Sequence, residues 1–259
     1  MRLEVFSRAP QTTPRPSPLL FVHGILHSAW YWEKFLDVFA ARGYKAHALS
    51  LSGHGNSPGN IRWIRSPQLI RDVAEVAARF SSPPIVIGHS MGAYITQKYL
   101  ETHSAPAAVL LASVPHFGAI PATMRFFAHH PLQLLKCVLT LDMRPIVESP
   151  QLAREILYWR DTPEAIVAAN FARLQGDSFF TYLDLMALNL PRPGRIKTPM
   201  LVIGSEHDGI FTPGEIAATA KRYGADLHIF PNMGHNLILD VGWENVAEKI
   251  AVWLDARGL

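Results

Sequence analysis

The chain has 259 residues, of which 49% are hydrophobic and 17% are charged. These values are typical of one globular domain with a large core, and they exclude a disordered or fibrous chain. The formal net charge is only +3 and the basic residues are dispersed, so we expect no nucleic-acid binding. The single cysteine, Cys137, cannot form an internal disulfide, and we expect a buried, unreactive thiol in a reducing compartment.

The first 18 residues carry charges and several prolines but lack the apolar segment of a signal peptide. The apolar runs elsewhere are short and interrupted, well below the roughly 20 residues that cross a bilayer. We therefore expect a soluble, cytoplasmic protein with no transmembrane segment. The sequence leaves its oligomeric state open.

Short apolar runs alternate with helical patterns along the chain. The predicted strands are residues 19–22, 45–49, 85–87, 107–112, 200–203 and 227–230. The predicted helices are residues 31–42, residues 66–80, a helix from Met91, residues 213–223, and a final amphipathic helix through Trp253. Strands that alternate with helices predict a mostly parallel central sheet flanked by helices.

The sheet pattern is interrupted between about residues 118 and 195. Helix-compatible segments at 122–141 and 150–159 are separated there by prolines. We interpret residues 118–195 as a helical cap inserted into a core domain formed by residues 1–117 and 196–259. Apolar side chains in or beside this segment are candidates for lining an acyl pocket, although packing onto the core is the commoner role of each: Phe117, Met124, Phe126, Phe127, Leu132, Leu134, Leu135, Met143, Phe179, Phe180 and Met186.

The strongest motif is the pentapeptide of residues 88–92, which matches G-x-S-x-G with Ser90 at its centre. It follows an apolar run and precedes a helical pattern. Glycines flank the serine because a sharp strand-to-helix turn leaves no room for larger side chains. The motif predicts that Ser90 is a nucleophile.

A serine hydroxyl needs a base, usually an imidazole that a carboxylate orients. His235 lies in the loop after the last predicted strand, and Asp208 follows the strand before it. Both positions are at the carboxyl end of the sheet, as is Ser90. We predict that His235 is the general base and Asp208 its acid partner, with Glu206 as the alternative acid two residues away.

The order Ser90, Asp208, His235 and the surrounding motifs resemble the α/β-hydrolase superfamily, particularly its capped members similar to serine esterases and lipases. The resemblance runs from Leu19 to the C-terminal helix. It includes the residues 21–25, Phe-Val-His-Gly-Ile, and the later Gly-His-Gly-Asn-Ser at 53–57.

By this resemblance, the backbone N–H groups of Ile25 and Met91 form an oxyanion hole for the negative oxygen that develops when Ser90 attacks a carbonyl. Gly24 permits the close approach of the loop. One departure from the family pattern is Ser50, where many relatives have an aspartate.

The sequence argues against two kinds of bound group, a dinucleotide and a metal ion. The G-x-G at 53–55 has Pro58 at the sixth position of a dinucleotide-binding motif, where a helix cannot begin smoothly. His129 and His130 lack the further ligands of a metal motif. We expect neither a cofactor nor a metal.

The predicted function is hydrolysis of a small or medium carboxylic ester with an apolar acyl group, through an acyl-enzyme. The partner is therefore a small-molecule ester substrate. Alternatives on the same fold are C–C bond, lactone or amide hydrolysis and cyanohydrin cleavage, because fold and triad do not separate these reactions. A ligand receptor that retains the fold without turnover is an alternative of another class.

Overall fold

A central sheet of seven strands organises the computed structural model, which describes residues 2–259. The strand order is β1-β3-β2-β4-β5-β6-β7. Only β1 is antiparallel to its neighbour, and every other adjacent pair is parallel. The strands are β1 Val5–Arg8, β2 Leu19–Val22, β3 Ala46–Leu49, β4 Ile85–His89, β5 Ala108–Leu111, β6 Met200–Ser205 and β7 Asp226–Phe230.

The described residues form ten α-helices: α1 Glu33–Ala41, α2 Ser66–Ala77, α3 Met91–Tyr99, α4 Ile120–His129, α5 Pro131–Thr140, α6 Pro150–Leu157, α7 Glu164–Phe171, α8 Phe179–Leu183, α9 Pro213–Tyr223 and α10 Trp243–Asp255. Shorter helical turns are Ala29–Trp32, Ile61–Trp63, Arg144–Val147, Asp184–Leu188 and Pro193–Arg195. The predicted α/β fold, a mostly parallel sheet flanked by helices, is confirmed.

Two apolar cores lie on the two faces of the sheet. Successive residues of β2 alternate between them, with Leu19 and Phe21 in one core and Leu20 and Val22 in the other. Helices α1 and α10 cover the first face, and α2, α3 and α9 cover the second. Burial of both faces explains why the predicted strands are continuous apolar runs rather than alternating ones.

The structure differs from the predicted elements at several boundaries. Strand β1 was not anticipated, because it is a short edge strand whose last two residues are exposed. The single helical segment predicted at 122–141 is two helices, since Pro131 begins α5 and cannot donate the hydrogen bond that would continue α4. Helices α7 and α8 were also missed.

Five helices, α4 to α8, lie between β5 and β6, where the sequence predicts a cap, and residues 118–195 are called the inserted segment below. Several large apolar side chains are exposed on them, among them Met124, Leu132 and Leu139. The division into a core and a separate cap stays a prediction. No helix within residues 2–259 combines the length and the apolar character that a membrane span requires.

Cys137 is the one cysteine, and its side chain is the fully buried one of α5, in the same apolar core as Met143 and Val147. Burial raises the pKa of its thiol from 9.0 to about 12.

We expect iodoacetamide at pH 8 to label native Cys137 at least about a thousand-fold more slowly than the denatured chain, because only the thiolate reacts. Mass spectrometry of timed samples measures this, and equal labelling of native and denatured protein would contradict the packing of α5.

Candidate active site

Ser90 occupies a sharp turn between β4 and α3. Its backbone has φ 52° and ψ −116°, a conformation that residues with a side chain rarely adopt and that costs about 1–3 kcal/mol. The Ser90 N–H donates to Leu111 O of β5 at 2.9 Å, and Ser90 O accepts from Tyr94 N at 3.1 Å. Hydrogen bonds on both sides of the turn therefore hold the strained conformation in place.

The two glycines of the motif are required because a side chain at either position would collide with the neighbouring backbone. A Cβ on Gly88 would lie 2.4 Å from Gly92 O, and one on Gly92 would lie 2.2 Å from Val22 O. Neither distance is compatible with a real side chain. The backbone of α3 thus packs directly on the end of β2, and this contact brings Ser90 beside the loop that follows β2.

His235 and Asp208 are brought together at the same end of the sheet. His235 Nδ1 lies 3.0 and 2.9 Å from the two carboxylate oxygens of Asp208, and both side chains are almost fully buried. Asp208 Oδ1 also accepts from the backbone N–H groups of Ile210 and Phe211. These donors fix the carboxylate, so that Asp208 orients the imidazole.

Glu206, the alternative acid, points away from this pair. Its side chain is 58% exposed, and its carboxylate is 3.9 Å from His207 Nε2. Asp208 is therefore the carboxylate that the structure places on His235.

The second ring nitrogen of His235, Nε2, is buried and has no hydrogen-bond partner among the described residues. The Ser90–His235 hydrogen bond is thus not formed in this structure. Such bonds are often long in free enzymes and tighten with substrate. The residue before Ser90 links the two loops, since His89 Nε2 donates to the carbonyl of His235 at 2.9 Å.

The two predicted oxyanion donors lie on either side of Ser90. Met91 is the first residue of α3, where an N–H has no acceptor within its own helix. Among residues 2–259, the N–H of Ile25 has no protein acceptor either. A Cβ on Gly24 would lie 3.1 Å from Ser90 Cβ, so the loop touches the serine. Both N–H groups are free to bind an oxyanion.

Buried histidines hold the loop that carries Ile25. His23 Nδ1 donates to Gly24 O at 2.8 Å, and His23 Nε2 accepts from Leu51 N at 3.1 Å, which requires the neutral ring. Burial, together with the neighbouring His54, lowers the pKa of His23 well below its ordinary value. His27 Nδ1 donates to Ile25 O at 2.6 Å, and burial lowers the pKa of His27 to about 3. Both histidines are therefore neutral structural donors.

An apolar cavity opens beside Ser90 and encloses about 70 Å³. None of its walls carries a charged side chain. Three of the predicted lining residues, Phe126, Leu134 and Met143, belong to it, whereas Met124, Phe127, Leu132 and Leu135 are exposed on the outer face of the inserted segment. The remaining walls are Ile25, Met91, Val114, Ala119, Ala122, Thr123, Ile146, Ile156, Tyr182, Leu185, Gly209, Ile210 and Phe211.

Ser50, the departure from the family pattern, is bound by a carboxylate that lies just before β1. Ser50 Oγ donates to Glu4 Oε2 at 2.5 Å and accepts from Ala29 N at 3.0 Å. Glu4 also accepts from the side chain of Asn56. A carboxylate from beside β1 thus binds both the Ser50 hydroxyl and the loop that follows it.

Two buried aspartates that the sequence did not indicate connect the inserted segment to the loop of His235 and to the loop of Ile25. Asp240 accepts from Thr162 Oγ1 at 2.5 Å and from the N–H groups of Trp159 and Gly234, beside His235. The second is Asp177, which contacts the loop after β2. No motif marks either one, because each binds residues far away in the chain. No group of three or more His, Cys, Asp or Glu side chains in residues 2–259 is arranged to bind a metal ion.

This chain is similar, at low identity, to several curated proteins that are named as hydrolases or esterases. It is 31% identical over 75 residues to pyrethroid hydrolase of Sphingobium wenxiniae, a match that covers 29% of this chain and 27% of that protein. It is 26% identical to probable esterase PIR7A of Oryza sativa subsp. indica, covering 62% of this chain and 66% of that one. The match to methylesterase 10 of Arabidopsis thaliana is 27% identical and covers 91% and 78%.

Among solved structures, the monoacylglycerol lipase of Paleococcus ferrophilus superposes with a TM-score of 0.76 at 21% identity, covering 99% of this chain and 100% of that one. This likeness extends over the whole fold, including the helices between β5 and β6. The family model described as alpha/beta hydrolase family matches residues 19–249, which include the Ser90 turn and the loops of Asp208 and His235. The chain belongs to the alpha/beta hydrolase family.

Proposed function

We propose that this protein is a serine hydrolase that cleaves carboxylic esters of small or medium, apolar acyl groups through an acyl-enzyme. Ser90 is the nucleophile, His235 the general base and Asp208 its orienting acid. The observation that carries the proposal is the buried Asp208–His235 pair at the same sheet edge as Ser90, whose strained turn faces an apolar cavity. The names of the esterases to which the chain is similar agree with it.

In the first half of the reaction, Ser90 Oγ attacks the ester carbonyl carbon and its proton passes to His235 Nε2. The carbonyl oxygen becomes an anion, which the N–H groups of Ile25 and Met91 stabilise. The C–O bond to the alcohol then breaks, and His235 returns the proton to the departing oxygen. In the second half, water gives a proton to His235 and attacks the acyl carbon. The bond to Ser90 Oγ then breaks, His235 returns the proton to Ser90 Oγ, and the carboxylic acid leaves.

The cavity supports the choice of acyl group. About 70 Å³ is room for several water molecules at roughly 10–15 Å³ each, which corresponds to a short acyl chain. The hydroxyls on its wall satisfy one another, because Tyr182 donates to Thr123 Oγ1, which donates to Ala119 O at 2.8 Å. Away from Ser90 and the two backbone N–H groups, a pocket wall without a charge or a free side-chain donor favours a neutral hydrocarbon acyl group.

The first test measures hydrolysis of p-nitrophenyl esters from acetate to decanoate by the parent and by Ser90→Ala. We expect sustained turnover by the parent, highest for the short chains, and a loss of at least about 10⁴-fold in the variant. Equal activity of the two would exclude Ser90 as the nucleophile. No turnover by either would favour another triad reaction, and a single acylation without release would favour the receptor alternative.

The second test separates the two candidate acids by identical substitutions. We expect Asp208→Asn to lower kcat roughly 10⁴-fold, because the amide favours the wrong tautomer of His235. Glu206→Gln serves as the matched control and should retain the parent kcat, since its carboxylate is exposed and faces His207. Steady-state kinetics on p-nitrophenyl acetate measures both, and the reverse result would make Glu206 the acid.

The third test changes one of the side chains that line the cavity. Phe126 on α4 is one of the two phenylalanines that line it, and Phe126→Ala replaces this ring by a methyl group and enlarges the cavity. We expect the preferred acyl chain to lengthen by two or more carbons, with kcat/KM for acetate reduced by less than ten-fold. Exposed Phe127→Ala on the same helix is the control and should leave the chain-length profile unchanged.

A further inference from the structure

Asp177 is a carboxylate of the inserted segment that is buried against the loop carrying Ile25. Its Oδ2 accepts from Leu26 N at 2.8 Å and from His54 Nε2 at 2.9 Å, and its Oδ1 accepts from Ser178 N at 2.7 Å. Asp177 and His54 are each about 1% exposed. The carboxylate therefore joins three parts of the chain: the inserted segment, the loop after β2 and the loop after β3.

His54 faces an acceptor with each ring nitrogen. Nδ1 lies 3.0 Å from Ser52 O, a carbonyl that can only accept, and Nε2 lies against the Asp177 carboxylate. Both nitrogens must then carry hydrogen, so His54 is the positively charged partner of Asp177. Burial opposes that charge, but the Asp177 carboxylate and the hydrogen bonds outweigh it and raise the pKa of His54 above its ordinary value. The neighbouring His23 and His27 are neutral, so Asp177 is the charged group that balances the positive charge of His54.

Leu26 is the residue that this pair holds. Its φ is 69°, in the left-handed region that favours glycine, at a cost of about 1–2 kcal/mol for a residue with a side chain. The same segment binds both of its backbone groups, since Asp177 accepts from Leu26 N and Gln175 N donates to Leu26 O at 3.0 Å. Without these bonds, the preceding peptide groups would relax toward ordinary conformations.

The peptide that donates to Asp177 directly follows Ile25. Its carbonyl, Ile25 O, accepts from His27 Nδ1, so the Asp177 bond and the His27 bond fix opposite sides of one peptide plane. The rotation of that plane sets the position of Ile25 relative to Ser90. We infer that Asp177 and His54 are positioning residues that hold the Ile25 N–H in its oxyanion-binding orientation, so that the inserted segment is required for transition-state stabilisation and not only for covering the pocket.

This inference rests on the proposed function. Its test compares Asp177→Asn with a matched control, Asp184→Asn. Asp184 is an equally buried carboxylate of the same segment, which binds the Arg65 guanidinium and Ser66 on α2, away from the loop after β2. Both substitutions remove one buried charge that anchors the segment to the core.

The readouts are kcat and KM for p-nitrophenyl acetate and the inhibition constant of a short alkyl trifluoromethyl ketone. Ser90 Oγ adds to the carbonyl carbon of this inhibitor and its oxygen becomes an anion, so its affinity reports the oxyanion hole. We expect Asp177→Asn to lower kcat at least about ten-fold with KM changed less than about two-fold, and to weaken the ketone by the same factor as kcat/KM. Asp184→Asn should change neither by more than about two-fold.

His54→Gln provides a second variant if Asp177→Asn does not fold, because it removes only the cation and leaves the Asp177–Leu26 bond. It should change kcat and the ketone affinity in the same direction, and its effect should not add to that of Asp177→Asn.

Unchanged kinetics in both folded variants, or equal losses in Asp177→Asn and Asp184→Asn, would overturn the inference while Ser90-dependent turnover of the parent still stands. Absence of Ser90-dependent turnover in the parent would overturn the proposed function, and the inference with it.

Discussion

The close contact between the backbone of α3 and the end of β2 is the constraint on which the site depends. Gly92 has no side chain because the carbonyl of Val22 occupies the space, and this contact forces the strained turn at Ser90. The turn also brings Ser90 and the N–H of Met91 beside the loop that carries Ile25. This packing contact therefore sets the position of Ser90 and of the Met91 N–H, whereas the loop of Ile25 is held by its own hydrogen bonds to Asp177 and His27.

Buried carboxylates connect the rest of the structure to that point. Asp208 orients His235, Asp240 holds the start of the His235 loop, and Asp177 holds the loop after β2. Asp177 has a charged partner in His54, whereas Asp240 is satisfied by neutral donors. Burying such groups is costly unless they are fully hydrogen-bonded, so each one tolerates very few arrangements of its loop. The inserted helices supply Asp177 and the donors to Asp240, and they therefore participate in building the site.

The chemistry follows from this rigidity. A base that is fixed by a carboxylate and two backbone N–H groups that lack acceptors cost little reorganisation when charge develops on a substrate oxygen. The walls of the apolar cavity carry no charged side chain, so in the proposed function the size of the cavity selects the acyl group. In the proposed esterase, substrate preference depends on side chains such as Phe126, and the reaction depends on loops that packing holds in place.

The sequence by itself determined the parallel sheet, the position of Ser90 and the candidate pair of Asp208 and His235, because those signals are local: apolar runs, glycines at a tight turn, and loops after strands. Only the tertiary structure shows that Asp208, and not Glu206, contacts His235. It also shows that several predicted pocket residues lie on the surface, and that Asp177 binds His54, which is 123 positions away in the chain. Strand β1 was missed because its pairing with β3, not its own composition, makes it a strand. Contacts between distant segments leave no local pattern, and they are the ones that hold the catalytic loops.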